Sequence, residues 1–187
     1  TLKKLGIEVR YADPLDPQNF EKLIDDKTRA IYAETLPNPY LRPFPIKEVS
    51  DIGRKYSIPL IVDNTSSPII CKPFEHGAAI VVHSLTKYMG GHGSNIGGVL
   101  VDSGQFPWAE HSSRFNRLNE PDPSYHGVVY TEALGPAAYI GRARVVPLRN
   151  TGSAISPMNS FMILQGIENL PAKKERTCEN EIEISNY

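Results

Sequence analysis

The strongest constraint on the fold is a set of short apolar or β-branched runs separated by polar stretches of helix length. Runs of this length and composition are typical of β-strands. They cover residues 7–11, 30–33, 59–63, 79–83 and 96–101. Two of them, at residues 60–62 and 80–82, are apolar without alternation, as in parallel strands that are covered on both faces. The sequence therefore predicts an α/β fold with a mostly parallel sheet and helices on both of its faces.

The stretches between these runs carry helix signals. Residues 45–56 have apolar side chains at helical spacing, and residues 18–26 repeat that pattern. Ser156 and Pro157 place a hydroxyl at the N-cap position and proline in the first turn, which predicts a helix start. Further helices are predicted over residues 137–145 and 172–185. Residues 104–136, rich in Trp, Pro, His and Tyr, lack periodicity and are interpreted as a connecting region.

The composition excludes several classes of protein. The 187 residues contain 20 basic and 21 acidic side chains, so the net charge of -1 gives no electrostatic reason to expect a nucleic acid or an anionic membrane as partner. No apolar run has the length of a membrane span, and residues 1–10 lack the apolar segment of a signal peptide. Cys71 and Cys178 are interpreted as ordinary thiols of a reducing compartment. We therefore expect a cytoplasmic protein.

An acidic residue, Asp63, ends the buried run at residues 60–62. Doubly wound sheets bind their ligands beyond the carboxyl ends of the strands, so this position lies where a ligand is expected. A carboxylate here is either a helix cap or turn residue, or the partner of a positively charged ligand group, because an unpaired buried charge is too costly to keep. The spacing alone leaves both interpretations open.

The next predicted strand is followed by a lysine with two nearby hydroxyls. Ser84 and Thr86 precede Lys87 by three residues and one, so a phosphate could bind both hydroxyls while the lysine amine reaches a carbonyl of the same ligand. Pyridoxal 5'-phosphate (PLP) has these groups, since its aldehyde forms a Schiff base with a lysine and its pyridine nitrogen needs an acidic partner. Asp63 is the candidate partner, and a close charge pair is worth roughly 4 kcal/mol at an effective dielectric near 20. The alternative is a solvated surface lysine beside an incidental Ser-x-Thr sequence.

The glycine-rich residues 90–98 do not indicate a different site. They lack the Gly-Lys-Ser/Thr ending of a nucleotide-binding loop. The glycines are instead expected to allow a tight turn and a close backbone approach between two strands. His83 and His92 have no second His or Cys at ligand spacing, so no metal site is predicted.

These residues resemble the trans-sulfuration family of PLP enzymes, the Cys/Met-metabolism group with the aspartate-aminotransferase type of fold, fold type I. The similar motifs are Asp63-Asn64-Thr65, Glu75-His76-Gly77-Ala78 and Ser84-Leu85-Thr86-Lys87-Tyr88-Met89-Gly90-Gly91-His92. Residues 34–39 resemble an upstream motif whose asparagine contacts the pyridine ring hydroxyl. The resemblance implies this role for Asn38, a pocket-shaping role for Glu34, and a position for Thr65 beside Asp63 in the pocket wall.

Within the family, the greatest resemblance is to the O-acetylhomoserine sulfhydrylases, through residues 120–127, 135–140 and 155–159. It implies replacement of the acetate of O-acetyl-L-homoserine by sulfide, giving L-homocysteine, with Lys87 holding PLP and then moving protons. It also implies a homotetramer built from dimers that share active sites. A cystathionine γ-synthase or γ-lyase is the alternative within the family. Residues 171–174 depart from the family pattern.

The resemblance also divides the chain. Residues 1–150 are expected to form the C-terminal portion of the large PLP-binding domain. Residues 151–187 are expected to be connecting helices that lead to a C-terminal domain absent from this chain. The family's N-terminal phosphate turn and its substrate-binding arginine are expected outside these 187 residues. We therefore expect the piece alone to be inactive, and a non-catalytic fragment that retains the fold core is a further alternative.

Overall fold

The computed structural model describes residues 2–187 and contains a four-stranded sheet. The strands are β1 (Ile31–Glu34), β2 (Leu60–Asp63), β3 (Ile80–Ser84) and β4 (Gly98–Asp102). They are adjacent in the order β1-β2-β3-β4; the first three are parallel, and β4 is antiparallel to β3. The predicted α/β fold with a mostly parallel sheet is confirmed, and β1 to β4 coincide with four of the five predicted runs.

The helices connect these strands and follow them. The α-helices are α1 (Gln18–Glu21), α2 (Ile46–Lys55), α3 (Asn116–Asn119), α4 (Tyr130–Leu134), α5 (Ala138–Ala143), α6 (Arg149–Thr151), α7 (Pro157–Glu168) and α8 (Leu170–Ser185). Short 3-10 helices lie at Leu2–Leu5, Pro73–His76, Trp108–His111 and Gly135–Ala137, and a π-helical turn at Arg144–Leu148 joins α5 to α6. As predicted, Ser156 caps α7, since its hydroxyl accepts a hydrogen bond from the Asn159 backbone at 3.1 Å. No helix among residues 2–187 is both long and apolar enough to cross a membrane.

One face of the sheet packs against α2. Leu60 and Val62 of β2 join Val49 of α2 in this core cluster, whereas Ile61 packs against the cluster on the opposite face. Successive side chains of a strand point to opposite faces. A strand that is covered on both faces therefore carries apolar residues at every position, which explains the unalternating sequence of β2.

The opposite face is covered by the segment that was interpreted as a connecting region. Trp108, Leu118 and Tyr130 from this segment are buried against Ile80 of β3. The Trp108 ring lies 5.0 Å from that of Phe115 in an edge-on arrangement. The interpretation as a simple connection was wrong, because large aromatic side chains on short helical turns build this core without leaving a periodic pattern.

The prediction of a strand at residues 7–11 was also wrong. These residues are irregular and exposed, with 48% of Ile7 and 92% of Tyr11 accessible to solvent. Arg10 holds the segment in place through a hydrogen bond to the Leu23 carbonyl at 2.9 Å and an ion pair with Asp25. A strand needs a neighbour for its backbone hydrogen bonds, and within residues 2–187 this run pairs with none.

We expect Leu60→Ala to lower the free energy of unfolding by about 2–5 kcal/mol, since it leaves a cavity in the core under α2. Leu60 is 2% exposed. Leu15→Ala is the matched control, because Leu15 is 66% exposed and its loss should change stability by less than about 0.5 kcal/mol. Urea denaturation followed by circular dichroism measures both, and equal effects of the two substitutions would contradict this description of the core.

Candidate active site

A chain of hydrogen bonds joins four of the predicted site residues beyond the carboxyl ends of β2 and β3. The Thr65 backbone N–H donates to Asp63 Oδ1 at 2.9 Å. The Thr65 hydroxyl oxygen accepts a bond from the backbone N–H of Ser84 at 2.7 Å. Lys87 Nζ in turn donates to Ser84 Oγ at 3.3 Å. The structure thus brings Asp63, Thr65, Ser84 and Lys87 together, although the lysine and the carboxylate belong to different loops.

The carboxylate of Asp63 keeps its capacity to bind a positively charged group. Its second oxygen, Oδ2, accepts one hydrogen bond, from Tyr32 Oη of β1 at 3.1 Å. Each carboxylate oxygen can accept two, so lone pairs remain available on both. Among the described residues, Asp63 forms no salt bridge. The bond from the Thr65 backbone to Oδ1 is that of a turn residue, and the remaining lone pairs leave the carboxylate able to act as a ligand partner as well.

His83 does not neutralise this carboxylate. Burial lowers the pKa of His83 by more than the nearby Asp63 charge raises it, which favours the uncharged imidazole. Its Nδ1 atom is buried without a hydrogen-bond partner. No group of three or more His, Cys, Asp or Glu side chains within residues 2–187 is arranged to hold a metal ion.

Tyr32 is a site residue that the sequence did not reveal. Although 57% of Tyr32 is accessible to solvent, its partial burial, followed by the charge of Asp63, raises its pKa to about 12. The protonated hydroxyl donates to the carboxylate. The raised pKa favours folding below the ordinary tyrosine pKa of about 10, and this contribution is lost as the pH rises through about 12. The only sequence feature that could have indicated a role for Tyr32 is the alternation of Tyr32 and Glu34 on a strand predicted to lie beside the one that ends at Asp63.

We expect Asp63→Asn to lower the pKa of Tyr32 from about 12 toward its ordinary value. The decrease should be partial, because burial is the larger cause of the shift and remains in the variant. NMR titration of ring-labelled tyrosine measures this pKa, with Tyr32→Phe identifying the signal. Asp51→Asn, on the exposed surface of α2, is the control that should leave it unchanged. An unaltered Tyr32 pKa in Asp63→Asn would show that the two side chains are not coupled.

The remaining predicted residues, Thr86, Glu34 and Asn38, do not take part in this chain of hydrogen bonds. The Thr86 hydroxyl accepts a bond from the Gly97 backbone at 3.1 Å and lies 3.3 Å from the Gly97 carbonyl, so it ties the turn after β3 to the segment before β4. Glu34 is exposed at the end of β1, with its Cα paired to that of Asp63. Asn38 is exposed on the following loop. The ligand contacts of all three stay predictions.

Helix α7 packs tightly against the turn that carries Lys87. A Cβ atom on Gly166 of α7 would lie 2.0 Å from the Gly90 carbonyl oxygen, so only glycine fits there. Gly91 has a φ of +73°, a left-handed conformation that glycine adopts without strain. The expected tight turn is confirmed. The expected close approach of the backbones of two strands was wrong at Gly90, because the close contact there is between the turn and helix α7.

A buried lysine connects α8 to both site loops. Lys174 is 5% exposed, and its Nζ donates to the Ser66 carbonyl at 3.0 Å. The same atom lies 4.0 Å from the ring centroid of Tyr88, close enough for a cation–π interaction. This contact could not be predicted from the sequence, since a lysine on a charged helix is ordinarily solvated. Lys174 thus holds α8 against the loops that carry Asp63 and Lys87.

An open cleft of about 760 Å³ lies between the Lys87 turn and α8. Lys87, Lys173 and Arg176 line it, so its walls are cationic. The volume is within the usual range for small-molecule sites, and the charge suits an anionic ligand. Asp63, Thr65 and Ser84 do not line this cleft, which meets the predicted site at Thr86 and Lys87. A lysine amine, hydroxyls and a carboxylate beyond the ends of parallel strands are the donor set that PLP needs, and this set is typical of the class of PLP-dependent enzymes.

Comparison with known proteins agrees with the class of PLP-dependent enzymes and identifies one family within it. A family model described as "Cys/Met metabolism PLP-dependent enzyme" matches residues 1–187, and the chain belongs to that family. The chain is 47% identical to the O-acetyl-L-homoserine sulfhydrylase of Leptospira meyeri, with 100% of this chain and 44% of the relative covered. It is 42% identical to the homocysteine/cysteine synthase of Kluyveromyces lactis, with 99% and 42% covered.

Solved structures give the same result for the fold. A Campylobacter jejuni protein assigned as an O-acetylhomoserine (thiol)-lyase, which contains a pyridoxyl-lysine monophosphate, superposes with a TM-score of 0.91 and 36% identity. That match covers 99% of this chain and 45% of the other. An O-acetylhomoserine sulfhydrylase of Wolinella succinogenes gives a TM-score of 0.81 and 30% identity, with 99% and 50% covered. The predicted family and fold type I are confirmed, and the chain spans no more than half the length of these relatives.

Proposed function

We propose that this chain is the cofactor-binding part of a PLP-dependent sulfhydrylase that converts O-acetyl-L-homoserine and sulfide to L-homocysteine and acetate. The observation that carries the proposal is the hydrogen-bonded chain from Asp63 through Thr65 and Ser84 to Lys87. Relatives with the names of this enzyme match nearly all of the chain, which supports the choice of reaction.

The side chains of the site would divide the binding of PLP between them. Lys87 would hold the cofactor covalently, and Asp63 would pair with its pyridine nitrogen. Ser84 and Thr86 would donate to its phosphate. The Thr86 hydroxyl would then donate to the phosphate in place of the Gly97 carbonyl, which lies 3.3 Å away. Asn38 would contact the ring hydroxyl. Thr65 and Glu34 would complete the wall, Thr65 by keeping the Ser84 backbone in place.

When bound, PLP supplies a sink for the electrons that are released as a substrate C–H bond breaks. Lys87 would remove and return protons at the substrate carbons once the substrate amine has displaced it. Its position beside Ser84 supports this role, because a hydroxyl 3.3 Å from Nζ can steady the free amine. Asp63 would face the ring nitrogen, held in place by donors from Thr65 and Tyr32.

The proposed function also implies a domain organisation for the chain and an oligomeric state for the intact enzyme. Residues 1–150 would be the C-terminal portion of the PLP-binding domain, and residues 151–187 would lead to a C-terminal domain. We propose a cytoplasmic homotetramer built from dimers. The exposed apolar side chains of β4, Val99, Leu100 and Val101, are of a kind that is normally covered, either by the rest of the longer protein or by another subunit.

Substrate competition tests the proposed reaction. The intact enzyme is incubated with O-acetyl-L-homoserine and either sulfide or cysteine, and the products are separated by mass spectrometry. We expect homocysteine from sulfide and little product from cysteine. Cystathionine from cysteine as the main product would instead establish a cystathionine γ-synthase. We expect the 187 residues by themselves to form no homocysteine; turnover by this piece would show that it holds a complete site.

A further inference from the structure

A second cavity lies at the amino-terminal ends of the parallel strands, opposite the ends that Asp63 and Lys87 follow. It has a volume of about 610 Å³ and is bordered by Ala30 and Pro59, the residues just before β1 and β2. The Lys87 cleft follows the carboxyl ends of the same parallel strands. The two cavities therefore lie at opposite ends of the strands, and the chemistry proposed for Lys87 does not use the second one.

Four of the fourteen residues that line this second cavity, which we call the arginine cavity, are arginines, and most of the others are apolar or aromatic. Its arginines are Arg29, Arg114, Arg117 and Arg142, and no Asp or Glu of residues 2–187 lines it. Two of the four are held in place by backbone carbonyls. Arg29 donates to the Asp26 carbonyl at 2.8 Å, and Arg114 donates to the Thr28 carbonyl. These bonds fix the position of the side chains without neutralising their charge, because a carbonyl is uncharged.

Two buried donors in the wall have no partner. Trp108 is 4% exposed, and its indole Nε1 makes no hydrogen bond; Arg142 Nε is buried and equally unpaired. Leaving a buried donor unpaired is costly, and a charged one more so. Tyr139 stacks on the Trp108 ring at 5.2 Å with an interplanar angle of 11°, which fixes the orientation of the indole. Both donors belong to residues that line the cavity, where an oxyanion could accept from them.

The nearest carboxylates are held by other groups. Hydrogen bonds from Ser124 and Tyr130 are the main reason for the lowered pKa of Asp122, and the charge of Arg142 is the smallest contribution. Asp102 Oδ1 accepts a hydrogen bond from the Gly104 backbone at 3.0 Å, whereas its Oδ2 is buried without a hydrogen-bond partner, and burial raises the pKa of this carboxyl. None of the four arginines of the cavity forms a salt bridge within the described residues. Their guanidinium groups are therefore available to an anionic ligand.

We propose that the arginine cavity binds a small metabolite with two or more phosphate or carboxylate groups. Arg142 and Trp108 would donate to one oxyanion group, and Arg117, which is exposed at the rim, would pair with another. Guanidinium groups pair with both phosphate and carboxylate through two parallel hydrogen bonds, so this recognition chemistry is common to both ligand types.

Fluorescence of Trp108 tests the proposal directly, because it is the only tryptophan of the 187 residues and lies in the cavity wall. The intact protein, loaded with PLP so that the Lys87 site is occupied, is titrated with inorganic pyrophosphate or with citrate. The same titration of Trp108→Phe isolates the signal of this residue. We expect a saturable change with at least one of the two probes, and the tighter one identifies phosphate or carboxylate as the preferred group.

Substitutions show whether the signal arises from the arginine cavity. Arg142→Gln and Arg117→Gln should each weaken binding by about tenfold or more, the usual effect of losing a charge-assisted hydrogen bond. Arg117 is exposed, so that variant should fold even if Arg142→Gln does not. Arg144→Gln is the matched control from the π-helical turn after α5, outside the cavity wall, and should bind normally. No saturable change, or equal binding by Arg117→Gln and Arg144→Gln, would overturn the proposal and leave the proposed reaction at Lys87 unaffected.

Discussion

Lys87→Ala is expected to leave the intact enzyme unable to hold PLP covalently and to lower kcat by about 10²–10⁴-fold, the range for loss of a general acid–base group. Lys87 combines two roles in the proposed reaction, so its loss removes the anchor and the proton carrier together. Because the side chain is exposed, the free energy of unfolding should change by less than about 0.5 kcal/mol. Borohydride reduction followed by peptide mapping measures the covalent link, and steady-state assay measures kcat.

Lys173→Ala is the matched control for this prediction. Lys173 lines the same cleft as Lys87, and its Nζ donates to the Gly166 carbonyl at 2.9 Å. This variant should still be labelled on Lys87 after reduction, and any loss of activity should appear as weaker ligand binding because Lys173 belongs to the cationic wall of the cleft. Recovery of the label on Lys173, or full activity of Lys87→Ala, would contradict the assignment of the cofactor lysine.

Asp63→Asn is expected to lower kcat/KM by up to about 10³-fold. The estimate follows from a close charge pair of roughly 4 kcal/mol at an effective dielectric near 20, with tenfold in rate for about 1.4 kcal/mol. Asparagine keeps the shape of the side chain and can still accept from the Thr65 backbone, but it has no charge to offer the pyridine nitrogen. Steady-state kinetics and the absorption spectrum of the bound cofactor measure the effect.

Two comparisons separate the charge of Asp63 from its structural contacts. Tyr32→Phe removes the hydrogen bond to Oδ2 while leaving the carboxylate, so it should reduce kcat/KM far less than Asp63→Asn does. Asp51→Asn, on the exposed surface of α2, should have no effect. If Tyr32→Phe and Asp63→Asn were equally impaired, the carboxylate would matter through its position and not through its charge.

Much of the candidate site could be predicted, because its residues follow strands that have a clear local signature. The apolar run of β2 ends at Asp63, and Ser84 and Lys87 stand at and after the end of β3. Parallel strands bring their carboxyl ends to one edge, so these side chains were expected to meet. Tyr32 and Lys174 could not be found in this way. Tyr32 contacts Asp63, which is 31 positions away in the sequence, and Lys174 contacts Ser66, which is 108 positions away. No local sequence pattern marks such a contact.

The sequence by itself determined the α/β class, the strands β1 to β4 and the capped start of α7, and it singled out Lys87 as the candidate cofactor lysine, because each depends on local periodicity or on a contiguous motif. Only the tertiary structure decided the rest. Residues 7–11 have strand composition but no pairing neighbour within residues 2–187, and residues 104–136 build a core from scattered aromatic side chains. Strand pairing and side-chain packing join segments that are distant in the chain. These contacts stabilise the protein only after folding has brought the segments together, so no local sequence pattern reports them.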